Sequence, residues 1–492
     1  MSHLDETNEE NKNLVNGVYK PTVTSTNGSN LFKNKIRNAE SACWFLHWAA
    51  LTADVPLFAG GIAMSWTSPV IPKLHSDENP FDHQVTTTHE AWIAALMPLG
   101  AAIGPLAAGY CADKLGRKKA LIFLALPMVI GFLTLSAASQ VSLYYAARFL
   151  IGLGVGSAFA IVPMYVGEIS QPHNRGKYGS AMGVLITLGI IYPFSIGPHL
   201  TLTMYSLSCA VPLIAFIIIF AIFMPESPYY LISMGDLDGA AESLIKLRRN
   251  GADIRSELAE IKDGVEKERE NTAGIKDLFK TAGGRRAVYI SFGLVALQQF
   301  AGINPLLSFL KTIFEAAGST IPPNICTIIT GCVQVSSNTL CIFLVEKMGR
   351  RLLLLICCIF CCISMTVLGV YFYLKLNEFN VEPVFWLPIT CLIVYMLVFS
   401  FGLGPLPWTV MSEIFPSNVK GIASALSSTT AFVTSCLVTF LFPILSEILG
   451  MAGSFWMFAV FCLLGYFFVF FVLFETKGKS LAEIQRILQR HN

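Results

Sequence analysis

Asp113-Lys-Leu-Gly116-Arg117-Lys118-Lys119 and Glu346-Lys-Met-Gly349-Arg350-Arg351 are two copies of one short signature. Each sets an acid, a Gly turn and a basic cluster between two apolar stretches long enough to cross a bilayer. The copies sit at matching places in two hydrophobic halves, which implies a duplicated membrane protein.

Working outward, composition agrees with that class. The 492 residues are 54% hydrophobic and 13% charged, about half the charge of a soluble domain. A net charge of +2 points to no nucleic-acid partner. Residues 1–43 are polar, mixed in charge and poor in aromatic and branched side chains, so this tail is expected to be disordered and not a cleaved signal. The first hydrophobic helix is then the signal anchor. Thirteen cysteines are scattered through apolar runs, as in Cys357-Cys358-Ile-Phe-Cys361-Cys362, and read as packing residues. No metal or cofactor is expected.

Apolar segments fall near 44–70, 90–111, 119–138, 142–167, 179–199 and 203–224, and, after a charged interval, near 285–310, 322–345, 352–376, 385–411, 421–446 and 452–474. The predicted architecture is an all-α membrane protein of twelve transmembrane helices, six plus six in two pseudo-repeats. Lys and Arg concentrate in the tail and in alternate loops (Lys114 to Lys119, Arg175 and Lys177, Lys246 through Arg286), which places both termini in the cytosol. Asn27-Gly-Ser matches a glycosylation sequon on the cytosolic side and is discounted. The domains are then a tail (1–43), a first half (44–224), a cytosolic linker (225–284), a second half (285–475) and a C-terminal tail (476–492). Two amphipathic stretches, Leu237 to Arg249 and Ile254 to Arg269, make the linker a small helical layer.

Charged residues at helix ends carry the next signal. Glu168 follows the fourth span in Pro163-Met-Tyr165-Val-Gly-Glu168, with Arg175 seven positions on; Glu413 follows the tenth in Pro405-Leu-Pro407-Trp408-Thr-Val-Met-Ser-Glu413. The two acids occupy equivalent places, within reach of Arg117 and of Arg350 and Arg351 once the helices bundle. With Asp113 and Glu346 they form a candidate latch, a set of ion pairs that closes one face in one conformation and breaks in another. The plain alternative is a set of interfacial charges that fixes topology.

These motifs together resemble a sugar porter of the major facilitator superfamily, over about residues 45–485. Also shared are Pro225-Glu226-Ser227-Pro228 after span six, Gln298-Gln299-Phe-Ala-Gly302-Ile-Asn304 in span seven and Glu475-Thr476-Lys477-Gly478 after span twelve. The first span, Ala59 to Pro69, is most similar to insect porters of the trehalose and glucose type. The resemblance implies the major facilitator fold and alternating access.

Each sugar hydroxyl that leaves water needs a partner, and span seven offers amides at Gln298, Gln299 and Asn304, beside Gly302 and Pro305, which can break the helix. Helix-to-helix glue is the plain alternative for these amides, and the resemblance implies a sugar-binding role. Trp408 offers a flat face to a sugar ring, or else belongs to an interfacial belt. Paired Pro405 and Pro407 predict a hinge in span ten. Gln334, where the family's span eight has Asn, and Thr187, where its span five has Gln, are further candidate sugar-binding residues that depart from the family pattern, as do Ala431-Phe432 in span eleven and Leu307-Ser308-Phe309.

Proton-driven relatives pair an Asp of span one with an Arg of span four. Here Arg148 is present, but the Asp position reads Ala63, and Asp54 lies two to three turns nearer the cytosol. The expected function is facilitative transport of a neutral sugar, hexose or trehalose, across the plasma membrane, by a chain working as a monomer. A proton symporter is the alternative, and a non-transporting sugar sensor a further one. No nucleophile and base pair, and no paired carboxylates, can be identified in the spans, so no enzyme is expected.

Overall fold

The computed structural model describes residues 44–171, 174–248, 253–270, 274–318 and 321–490. The tail with its sequon lies outside the described residues, as does the side chain of Glu346. Every regular element among the described residues is helical.

Ten helical segments are long and apolar enough to cross a membrane: Trp44–Leu74, Thr87–Leu115, Arg117–Ala137, Val141–Ile169, Arg175–His199, Leu202–Phe223, Ala282–Ala317, Arg350–Leu376, Glu382–Ile414 and Asn418–Val472. Pro323–Met348 adds the eighth span. The last run is two spans, because it turns at Gly450, whose φ is 73°. Phe442 and Phe458 stack with centroids 5.8 Å apart, whereas one straight helix would hold them about 24 Å apart at 1.5 Å per residue. The total is twelve, six on each side of the linker.

Three spans are broken, and their breaks matter most. The first bends at Asp54 and again at Trp66. The seventh stops at Phe300 and restarts at Ile303 across Gly302, whose φ of 92° is the left-handed region that glycine tolerates best. The tenth divides into Leu387–Phe401 and Leu406–Ile414. Sequence reasoning put that hinge on Pro405 and Pro407. The helix in fact ends at Gly402, and the prolines lie at the start of the next helix, where a missing N–H costs least.

Two apolar cores lie within the first half and a third is built mainly from the second, with a small cluster of Ala101, Ala102 and Phe432 joining the two. The second half's core also takes in Ile71, Ala94, Ile190 and Phe194 of the first. These lie from mid-depth towards the end remote from the Gly-Arg turns. There Lys311 N donates to Ser68 Oγ at 3.1 Å, and Trp92 meets Phe440 at 4.7 Å between centroids. The linker forms helices Pro228–Ser233, Leu237–Leu247, Ile254–Glu270 and Ile275–Lys280. Arg248, almost fully buried, ties it to span four by donating to Ile169 O at 2.7 Å while pairing with Glu257. A C-terminal helix, Leu481–Arg490, docks through Gln485, whose Nε2 donates to Ile414 O at 2.6 Å.

Candidate sugar site

A cavity of about 280 Å³ lies between the halves, at the breaks of spans seven and ten. Gln298, Gln299, Asn304, Gln334, Trp408 and Thr187 all line it. So do Ala431 and Phe432, where the sequence departs from the family pattern, and Asn338, which sequence reasoning missed. Asn338 lies one helical turn beyond Gln334, and that spacing was the signal available.

The amides form a chain. Asn304 Nδ2 donates to Gln299 Oε1, Gln299 Nε2 to Gln298 Oε1 at 3.2 Å, and Gln298 Nε2 to the carbonyls of Leu403 and Gly404 at 2.7 and 2.6 Å. Those two carbonyls are free to accept because the helix of span ten is interrupted there. The break in span seven is thereby tied to the break in span ten. Gln334 has no hydrogen-bond partner among the described residues, although it is only 7% exposed. Among the described residues no charged side chain lines the cavity. Amides among apolar walls, Gln334 without a partner among the described residues, suit a neutral, polyhydroxylated ligand.

Thiols support the span-ten break. Cys357 Sγ lies 3.1 Å from Val398 O and accepts from Leu403 N at 3.4 Å, and Cys341 Sγ lies 3.3 Å from Phe401 O. Sequence reasoning took the cysteines as packing residues only. Their place beside open backbone groups is a tertiary fact that spacing does not reveal.

At the Gly-Arg end, Arg117 grips Glu168 through Nε and Nη2, both at 3.0 Å. Asp113 stands 3.8 Å from Arg117 and is mostly exposed. In the second half Arg350 Nη2 meets Glu413 Oε1 at 2.7 Å. Each pair joins spans of one half, and neither bridges the two halves. Arg175 donates to Gly167 O at 3.1 Å and to the Tyr229 hydroxyl, not to Glu168. Arg351 donates to Phe470 O at 2.7 Å and stands over the Phe470 ring.

Two further acids complete the clusters. Glu226 Oε1 accepts from Lys118 N at 3.0 Å, and Glu475 accepts from Arg350 N and Arg351 N, each at 3.0 Å. Both cap the helix that starts at a Gly-Arg turn, where backbone N–H groups are otherwise unpaired. Gly116 and Gly349 have φ of 89° and 85°, and a Cβ on Gly349 would lie 2.7 Å from Glu475 Oε2. Burial pushes the Glu475 carboxyl up, but the backbone N–H groups of Lys477, Arg350, Arg351 and Thr476 outweigh it and hold it below its ordinary value.

The halves are not equal here. Ser227 donates to Glu168 Oε2, whereas the corresponding Thr476 Oγ1 and Glu413 Oε2 are both buried without a partner among the described residues.

Arg148 is fully buried and donates to Ile93 O at 2.8 Å and Ala63 O at 2.9 Å, with the Trp66 ring 5.4 Å away. Asp54 does not pair with it. Both Asp54 carboxylate oxygens are buried with no hydrogen-bond partner among the described residues.

A family model described as "Sugar (and other) transporter" matches residues 59–488. The chain belongs to that family. Among curated relatives of these transporters it is 34% identical, over 448 residues, to the facilitated trehalose transporter Tret1 of Drosophila virilis, covering 90% of this chain and 48% of that protein. It is also 34% identical, over 443 residues, to a facilitated trehalose transporter Tret1-2 homolog of Drosophila simulans, covering 89% of this chain and 90% of the relative. The chain thus spans about half the length of the first and most of the second. Among solved structures, the proton:xylose symporter XylE bound to 6-bromo-6-deoxy-D-glucose superposes with a TM-score of 0.71 at 24% identity, covering 92% of this chain and 100% of that one. The inward open conformation of the xylose transporter XylE from E. coli gives 0.74 at 22% identity, covering 90% and 99%. The chain is therefore a multi-pass membrane protein of the major facilitator fold, with two six-helix halves.

Proposed function

We propose that this chain is a plasma-membrane carrier that moves a neutral sugar, a hexose or trehalose, down its gradient by alternating access. The observation that carries the reading is the amide-lined cavity between the two halves, with no charged side chain among its described lining residues, set at the breaks of spans seven and ten. The facilitated trehalose transporters among its relatives support the sugar class. The basic loops favour an orientation with the Gly-Arg turns and both termini in the cytosol. In that orientation the contacts of Ser68 with Lys311 and of Trp92 with Phe440 join the two halves towards the outer end. Residues 44–224 and 285–475 rock as units about the cavity, joined by the 225–284 linker, and one chain suffices. Gln298, Gln299, Asn304, Gln334 and Trp408 hold the sugar.

Uncoupled transport is favoured because Arg148 meets backbone carbonyls and not a carboxylate. A second reading, proton symport, draws on Asp54, an unpaired carboxyl buried at a bend of the first span. Purified protein in liposomes, given labelled glucose, trehalose and fructose with and without a pH gradient, separates them. Uptake that equilibrates irrespective of the gradient is expected. Accumulation under an acid-outside gradient that an uncoupler abolishes establishes the symporter, and failure to move any sugar overturns the assignment.

A further inference from the structure

The cavity walls are unequal in polarity. The first half contributes Met64, Phe159, Ile186 and Ile190, with Thr187 as its polar side chain. The Thr187 hydroxyl spends its one proton on its own helix, with Val184 O at 2.9 Å and Gly183 O at 3.1 Å. It has no donor left for a ligand.

Across the cavity, Gln334 and Asn338 stand one above the other, a turn apart on Pro323–Met348. Asn338 Nδ2 reaches 3.1 Å to Gly183 O in the other half. A Cβ at Gly183 would stand 3.5 Å from Asn338 Nδ2, an ordinary van der Waals contact, so spans five and eight pack closely here. A primary amide has two N–H donors and an oxygen with two lone pairs, and Gly183 uses one donor. Among the described residues the Asn338 amide has no other hydrogen-bond partner, and it lines the cavity.

We propose that Asn338 is a substrate-contacting, specificity-determining residue: held at one N–H by the Gly183 carbonyl, it offers its Oδ1 and second N–H to one hydroxyl of the sugar. This rests on the transport reading above. It supplies, from the second half, a polar group that the first half's wall withholds at Thr187. A single hydroxyl contact of this kind changes apparent affinity about fivefold to tenfold.

The test uses the full chain in liposomes, with whichever of glucose or trehalose the wild type carries and with its monodeoxy analogues. Asn338→Ala is expected to raise KM for the parent sugar about fivefold to tenfold. One deoxy analogue, lacking the hydroxyl that meets Asn338, is expected to show the same KM in wild type and variant. An equal rise for the parent and all analogues means that the amide only tethers span eight to span five, and overturns the proposal. So does an unchanged KM. If Asn338→Ala fails to fold, Asn338→Ser carries the same comparison. Wild-type protein that moves no sugar overturns the transport reading instead, and this inference with it.

Discussion

Gln298 and Gln334 are both buried amides on one cavity, and their partners set them apart. Gln298 Nε2 is engaged by two backbone carbonyls, so Gln298→Ala leaves the Leu403 and Gly404 carbonyls without that donor. We expect kcat/KM for sugar to fall about tenfold or more, with surface expression retained, in initial-rate uptake. Gln334 bonds no other side chain or backbone group among the described residues, so Gln334→Ala is expected to raise KM while leaving the thermal midpoint of the purified protein unchanged. A drop in that midpoint assigns Gln334 a structural role instead. Gly349 belongs to the same scale. Gly349→Ala forces a side chain onto a φ of 85° and into Glu475, at a cost of about 1–3 kcal/mol in a thermal melt. Gly421→Ala, where a Cβ meets nothing within 4 Å on a helix, is expected to lose no stability.

Among the elements, the tenth span shows how a broken helix is kept usable. Its interruption opens backbone groups that thiols and an amide from neighbouring spans satisfy. Cys357→Ala is expected to destabilise by about 1–2 kcal/mol and Cys357→Ser to restore most of it, because the hydroxyl keeps both bonding roles. Equal loss in both variants counts against hydrogen bonding and for packing. Helix starts carry a pH dependence. Glu475 titrates below its ordinary range when folded, so its capping contribution is fully present above the unfolded value of about 4.3. It is lost as pH falls through the lower folded value. Stability of the wild type should therefore decline on acidification more than that of Glu475→Gln, read by melts across that window.

For the whole molecule, the paired clusters at the Gly-Arg end are held within halves, so they brace each half as a rigid body. Their inequality gives a prediction. Ser227→Ala removes a bond to Glu168, whereas Thr476→Val removes a hydroxyl that bonds nothing among the described residues. The first is expected to cost about 1–2 kcal/mol and the second to be neutral or stabilising. Equal losses would show that the halves are energetically alike. Glu413→Gln should weaken the Arg350 pair and shift the balance of inward- and outward-open forms. Reporter thiols on the two faces read that shift, and unchanged accessibility limits the pair to bracing.

Sequence alone determined the membrane class, the twelve spans, the duplication and the six residues that meet at the cavity. These follow from hydrophobic length, charge at helix ends and motifs whose residue types are dictated locally. It also placed Glu168 and Glu413 beside the Arg of their own halves. Only the tertiary structure decided which partner each polar group takes. Glu226 and Glu475 cap helices more than a hundred positions away in the chain, and Cys357 serves a break in another span. Asn338 reaches a carbonyl in the opposite half, and Arg148 settles on backbone oxygens in place of Asp54. The reason is physical: hydrophobic length and charge bias act along the chain, while a buried hydrogen bond depends on where folding leaves an unpaired donor or acceptor.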